Sequence, residues 1–396
     1  MTPDAEAITR RSFLRTLTLA GTCPWLPRAV LAETASALIP LRPLGRSGIE
    51  VCSLCLGGIF DVPANQHILH RALQLGVTCW DTADCYQGGR SETGFGQFLE
   101  RQPEARKKVF LISKSDARDP EGLTRLLNRS LERLRTDYLD LYLIHDLRHA
   151  DEMNGDMQHW AEAEKRAGRI RLFGFSTHRN MEQHVREGAK LGWIDAIMTS
   201  CNFRLLQQDG MKQALEQCRA AGVGVIAMKT QGGGPVLEGA DGDMASQFRG
   251  RGFTAAQAKL KAVWEQPSIA TICSQMHVMR NLEENAAAAM DRQSLSRTDR
   301  ERLSHFARAT CSGYCAGCED LCGAALKGRV PVADVMRSLM YARAYGDIER
   351  ARECYGAIPA AARTQLLSMD FTAAERRCPQ GLPLTRLARE AAALLA

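Results

Sequence analysis

A chain of 396 residues is too long for one ordinary small domain and long enough for a full barrel with an appendage. Its make-up, 45% hydrophobic and 24% charged, is that of a globular protein, and its formal net charge of +6 is spread among alternating acids and bases, which leaves no clustered surface for nucleic acid. A disulfide framework is not needed in a chain with so large a core. Most of the 14 cysteines sit in apolar runs, as Cys52, Cys55, Cys79 and Cys273 do, where a thiol acts as a small hydrophobe.

The first element in chain order is an address. Thr9-Arg10-Arg11-Ser12-Phe13-Leu14-Arg15 is a twin-arginine pattern, followed by a modestly apolar stretch and then by Ala29-Val30-Leu31-Ala32, where small residues suit a signal peptidase. The apolar stretch is short and broken by Pro24 and Pro27, so no stable membrane span is expected. Residues 1–32 therefore read as a signal peptide for twin-arginine export to the periplasm or beyond, a route that carries folded, cofactor-loaded proteins.

Eight apolar runs follow, at 51–56, 78–82, 109–113, 139–144, 170–175, 196–200, 223–228 and 269–273. Amphipathic stretches separate them at 65–75, 92–100, 121–134, 158–167, 181–191, 210–221, 254–265 and 278–290. This alternation predicts an α/β fold, a (β/α)8 TIM barrel over 33–295, whose functional residues should stand at the C-terminal ends of the strands. A doubly wound open sheet is the alternative, but no Gly-x-Gly-x-x-Gly opens the first unit.

Four residues meet the strand-end expectation. Asp81 closes the second run, Tyr86 follows in its loop, Lys114 comes directly after the third run and His145 directly after the fourth. Singly, a Lys or a His at such a place is most often a solvated or structural residue. Together they suit carbonyl chemistry. A phenol can protonate the alkoxide left by hydride transfer if its pKa, about 10 when unperturbed, is brought down. Lys114 would lower it by favouring phenolate, Asp81 would hold Lys114 charged, and His145 would direct the substrate carbonyl.

With these residues in view the chain resembles the aldo-keto reductase superfamily over about residues 41–290. Asp81-Thr82-Ala83-Asp84-Cys85-Tyr86, then Ser91-Glu92, matches that family's signature, and Ile112-Ser113-Lys114 and Leu143-Ile144-His145 match its Lys and His segments. The resemblance implies reversible hydride transfer between NADP or NAD and an aldehyde, ketone or alcohol, with Tyr86 as general acid or base. It also implies cofactor contacts at Ser176 and Asn202 near the nicotinamide, and at Met228, Lys229, Gln275, Arg280, Glu284 and Asn285 along the rest of the dinucleotide. Thr177 stands where the family usually has Asn, and Met228 where it often has an aromatic residue.

Residues 296–396 lie beyond the eight units and read as a mostly helical, cysteine-containing domain. Cys311-x3-Cys315-x2-Cys318-x3-Cys322 and the remote Cys378-Pro379 suit a [4Fe–4S] cluster of ferredoxin type. Zinc, or a vestigial site of free thiols, are the alternatives. By the ferredoxin rule Cys311, Cys315, Cys318 and Cys378 share the cluster, with Cys322 a rival for one place. Some bacterial aldo-keto reductases resemble this arrangement in carrying a ferredoxin-like C-terminal extension. The partners implied are a small carbonyl or alcohol substrate and an electron-transfer partner. A second reading is a non-catalytic or cluster-dependent redox-partner barrel without free nucleotide turnover. Substrate contacts are expected from the loops at 147–156, 203–208 and 235–252, with His149 and His178 near the mouth.

Overall fold

The computed structural model describes residues 39–233 and 240–396. The signal peptide expected at 1–32, and part of the substrate loop expected at 235–252, lie outside the described residues.

Two short strands come first, β1 (Leu41–Pro43) and β2 (Glu50–Cys52), paired antiparallel. Eight parallel strands then close a barrel: β3 (Leu54–Gly57), β4 (Cys79–Asp81), β5 (Phe110–Ser115), β6 (Leu139–Ile144), β7 (Ile170–Thr177), β8 (Ala196–Ser200), β9 (Gly224–Met228) and β10 (Ile269–Gln275), with β10 pairing back to β3. The expected (β/α)8 TIM barrel is present. The first apolar run is divided between β2 and β3. The β1–β2 hairpin lies at the N-terminal end, where Arg42 donates to the carbonyls of Ile269 (2.9 Å) and Trp264 (2.7 Å). Its three-residue strands carry no periodic signal.

Local sequence chemistry accounts for the units. In β6 all six residues are buried, and the one charge among them, Asp140, is held by Arg106 at 3.0 Å and Arg171 at 2.7 Å. The helix Pro120–Leu134 starts where the Asp119 side chain accepts from the Gly122 amide at 2.7 Å and Pro120 takes the first turn. It buries Leu123, Leu127 and Leu134 on its inner face and stops at Arg135 in a left-handed conformation.

The C-terminal region is helical, as expected, with seven helices from Arg297–Ala309 to Leu384–Leu395. It has its own core, in which Val335 and Leu339 meet Tyr355, Phe371, Leu384 and Leu387. Yet it is not a free appendage. It packs over the strand ends of β6 to β9, and Tyr314 and Ala316 join the barrel's own core. Arg179 bridges Asp146 (3.0 Å) and Asp334 (2.8 Å), and Arg337 pairs with the same two carboxylates. Asp146 is held well below the usual carboxylate range, since the Arg337 and Arg179 guanidinium groups outweigh the burial that opposes its charge. No described helix is long and apolar enough to cross a membrane.

Candidate active site

The loop after β4 places the tyrosine. Tyr86 opens a short 3-10 turn that ends at Gly89, whose φ of 92° caps the following helix, Arg90–Arg101. A side chain at Gly89 would strike the Arg133 guanidinium at 2.3 Å. That guanidinium is needed where it is, because it holds Asp84 (3.1 Å) and the fully buried Glu92 (3.3 Å). Ser91 donates to the Gly58 carbonyl at 2.6 Å, and Ser113 donates to Glu92 at 2.6 Å. The Ser-Glu pair of the motif thus ties the tyrosine loop to β3 and β5.

Lys114 is the hub. Its ammonium lies 2.6 Å from Asp81 Oδ1, 2.7 Å from the Thr82 carbonyl and 3.3 Å from the Tyr86 hydroxyl. The ammonium thus makes an ion pair and two hydrogen bonds, although the side chain is 1% exposed. Burial opposes the charge, but the Asp81 carboxylate outweighs it and keeps the pKa above the ordinary lysine range. Tyr86 differs from the sequence expectation. Burial raises its pKa by more than Lys114 lowers it, so the resting side chain is a neutral phenol. It is therefore a proton donor at neutral pH.

His145 stands edge-on to Tyr86, with ring centroids 5.7 Å apart. Its Nδ1 is 3.0 Å from Asp116 Oδ1 and 3.5 Å from Cys85 Sγ. The sequence reading passed over both neighbours. Asp116 follows Lys114 by two positions and Cys85 directly precedes Tyr86, so position relative to the tetrad was the available signal. His178 lines the cleft near β8 and β9, where burial and the charges of Lys229 and Arg337 keep its imidazole neutral; His149 is an exposed surface residue.

Four residues from three consecutive strand ends thus meet as the motif requires. Residues 57–290 match the aldo/keto reductase family. The chain belongs to that family. It is 24% identical over 298 residues to L-galactose dehydrogenase of Arabidopsis thaliana, covering 67% of this chain and 92% of the plant protein. It is 29% identical over 218 residues to the uncharacterized oxidoreductase YrpG of Bacillus subtilis, covering 48% of this chain and 66% of that protein. Among solved structures, the holo form of aldo-keto reductase AKR11C1 from Bacillus halodurans shares the fold, with a TM-score of 0.57 at 21% identity, covering 68% of this chain and 96% of the other.

Aldo/keto reductases typically work with NAD(P), and the residues expected to hold it are in two states here. The adenosine end is open: Arg280 is exposed and paired with Glu284 at 2.7 Å, Asn285 donates to Ser274 at 3.1 Å, and Gln275 donates to the Ile59 carbonyl at 3.0 Å. The nicotinamide end is filled by the chain itself. Asn202 donates to the Lys229 carbonyl (3.2 Å) and the Tyr314 hydroxyl (2.8 Å), while its carbonyl accepts from the amides of Arg204 and Leu205. Ser176 accepts from the Asp146 amide at 3.0 Å and is buried. Met228 is buried at the end of β9, Lys229 donates to Tyr341 at 2.8 Å, and Met340 and Tyr345 pack on Gly233. The nicotinamide contacts expected of Asn202 and Lys229 are thus taken by Tyr314 and Tyr341. The residues as arranged do not fit a nicotinamide. Nothing in the sequence marks these two tyrosines, which come from the C-terminal region.

The cysteines are sorted as well. Cys315, Cys318, Cys322 and Cys378 line one cavity of about 340 Å³, with apolar walls that include Leu321, Val332, Leu382 and Leu384. Cys311, which the ferredoxin rule would include, is not among its lining residues. It sits in the turn after Arg297–Ala309, and its neighbour Thr310 is buried and bonded to Arg204 at 2.5 Å. Cys318 and Cys322 are one helical turn apart at the start of Glu319–Ala325, so both present to the same cavity. The Leu382 amide donates to Cys378 Sγ at 3.5 Å. Among the described residues no three of these thiols come within 4.8 Å of one another.

Proposed function

We propose that this aldo/keto reductase interconverts a small carbonyl compound and its alcohol, with Tyr86 giving or taking the proton on oxygen. The observation that carries the reading is the Lys114 ammonium, which contacts Asp81 and Tyr86 together inside a buried strand-end site. In reduction the neutral phenol protonates the developing alkoxide, and the adjacent ammonium stabilises the phenolate that results. In oxidation the same pair removes the hydroxyl proton. His145, edge-on to the tyrosine ring, orients the substrate oxygen. Tyr86→Phe keeps the ring and removes the proton, so turnover of an aldehyde and ketone panel should fall by about 10²–10⁴ with an unchanged circular dichroism spectrum. Undiminished turnover refutes the assignment.

The hydride source is not supplied by the four residues. NAD(P), the family's usual carrier, would enter at the nicotinamide end only if the Asn202–Tyr314 and Lys229–Tyr341 bonds opened. That closure favours the second reading, a barrel whose redox traffic runs through the C-terminal region without free nucleotide turnover. Titration of the anaerobic protein with NADPH and NADH separates the two: saturable binding at micromolar nucleotide supports the first.

Cys315, Cys318, Cys322 and Cys378 are the ligand set for a [4Fe–4S] cluster. A single zinc ion would draw its thiolates to about 3.8 Å of one another, tighter than these four stand, whereas a cluster fills a larger cavity. Such a cluster supplies one-electron transfer or a structural clamp when bound. Iron and sulfide near four each per chain after anaerobic purification would support it, and zinc alone would refute it. The twin-arginine segment at residues 9–15 completes the reading, an enzyme exported folded to the periplasm. Blocking of export by Arg10→Lys together with Arg11→Lys tests that step.

A further inference from the structure

His145, Asp116 and Cys85 come from the ends of three neighbouring strands: the loop after β4 and the positions directly after β5 and β6. One donor atom from each lies within 4.8 Å of the other two, and among the described residues no other group of three His, Cys, Asp or Glu side chains converges this closely. The His145 Nδ1 to Cys85 Sγ distance is 3.5 Å and the Nδ1 to Asp116 Oδ1 distance is 3.0 Å. A tetrahedral zinc ion, with bonds of about 2.0–2.1 Å to nitrogen and oxygen and about 2.3 Å to sulfur, sets its ligands about 3.3–3.6 Å apart. The two separations from His145 Nδ1 already stand near those values, and the Cys85 and Asp116 donor atoms lie within 4.8 Å of each other. His145 is buried and packed by Tyr86, whereas Cys85 and Asp116 are exposed, so an ion can enter from solvent. Arg118, a nearby cation, is paired with Glu152 at 2.5 Å.

We propose that Cys85, Asp116 and His145 form a three-ligand site for a zinc-class divalent cation, with a fourth position left open beside Tyr86. Thiolate, carboxylate and neutral imidazole form a borderline-soft donor set that matches zinc and balances its two charges. On binding, Cys85 releases its proton to solvent and Sγ–metal, Nδ1–metal and Oδ–metal bonds form; nothing is oxidised or reduced.

The site has a consequence for the tyrosine chemistry, and this part rests on the function proposed above. With Asp116 alone on Nδ1, a neutral imidazole keeps its proton there and leaves Nε2 without one. A cation on Nδ1 obliges the proton to sit on Nε2, which becomes the donor toward a substrate oxygen. Cys85 and Asp116 are then positioning residues that set the tautomer of His145.

The test uses the full-length protein with Co²⁺ as the probe, read through its thiolate charge-transfer absorption, and with Zn²⁺ in competition. Wild type minus Cys85→Ser cancels whatever Cys315, Cys318, Cys322 and Cys378 bind, because both proteins retain them. A difference band worth one equivalent, displaced by Zn²⁺, is expected, with affinity at least about tenfold weaker in Asp116→Asn. Identical titrations for wild type and both variants overturn the site. Zn²⁺ should also raise the rate of carbonyl reduction in wild type and leave Cys85→Ser unresponsive. A difference band without any carbonyl turnover would keep the site and remove the function. Turnover without a difference band would do the reverse.

Discussion

Replacing Lys114 by Met is the sharpest probe of the site, because it keeps the apolar stem of the side chain and removes the ammonium. Its ammonium is the partner of Asp81, and both side chains are essentially sealed from water, at 1% and 3% exposure. The variant leaves a buried carboxylate without a counter-charge, which costs about 3–5 kcal/mol. At about 2 °C per kcal/mol for a chain of this size, the melting temperature should drop by about 6–10 °C. Asp81→Asn should cost a similar amount by stranding the ammonium. The double variant removes both charges and strands neither. It should therefore be more stable than the sum of the two losses allows, by about 1–3 kcal/mol. Urea unfolding of the four proteins, followed by tryptophan fluorescence, gives that coupling without needing a substrate. If the two losses simply add, the pair does not act as a unit, and the account of Tyr86 as tuned by a charged lysine fails with it.

The remaining predictions concern pH, the cysteines and the nicotinamide end. Because burial outweighs Lys114, the Tyr86 phenol keeps its proton beyond the ordinary value near 10. The rate of carbonyl reduction, which uses the phenol, should hold through pH 10 and fall only above it. A reduction profile with an alkaline midpoint below 10 would contradict the dominance of burial over Lys114. Cys378→Ser and Cys318→Ser should lose iron on anaerobic purification, and Cys311→Ser should keep it, as iron content per chain will show. Tyr314→Phe frees an amide hydrogen of Asn202, so NADPH should bind it more tightly than wild type by fluorescence titration. Equal or weaker binding would mean that Tyr314 is not what closes the nicotinamide end.

The barrel and its tetrad were legible in the sequence because both are local. Each strand–helix unit carries its own apolar period, and Asp81, Tyr86, Lys114 and His145 are each fixed by the strand whose end they occupy or follow. Strand β1, the break between β2 and β3, and the helices Glu319–Ala325 and Ala240–Gly250 carry no legible signal, being too short or too weakly patterned. What only the tertiary structure decided depends on contacts between residues far apart in the chain. Asn202 and Tyr314 are 112 positions apart, as are Lys229 and Tyr341, and these two bonds close the nicotinamide end. Spacing favoured Cys311 as a ligand, but the anchoring of Thr310 to Arg204 and the helical turn from Cys318 to Cys322 left it outside the cavity. The sign of the Tyr86 shift was equally out of reach, because an adjacent lysine is visible in a motif and the depth of burial is not. The sequence determined which groups stand together at the strand ends; packing of the C-terminal region on the barrel decided what else can reach them.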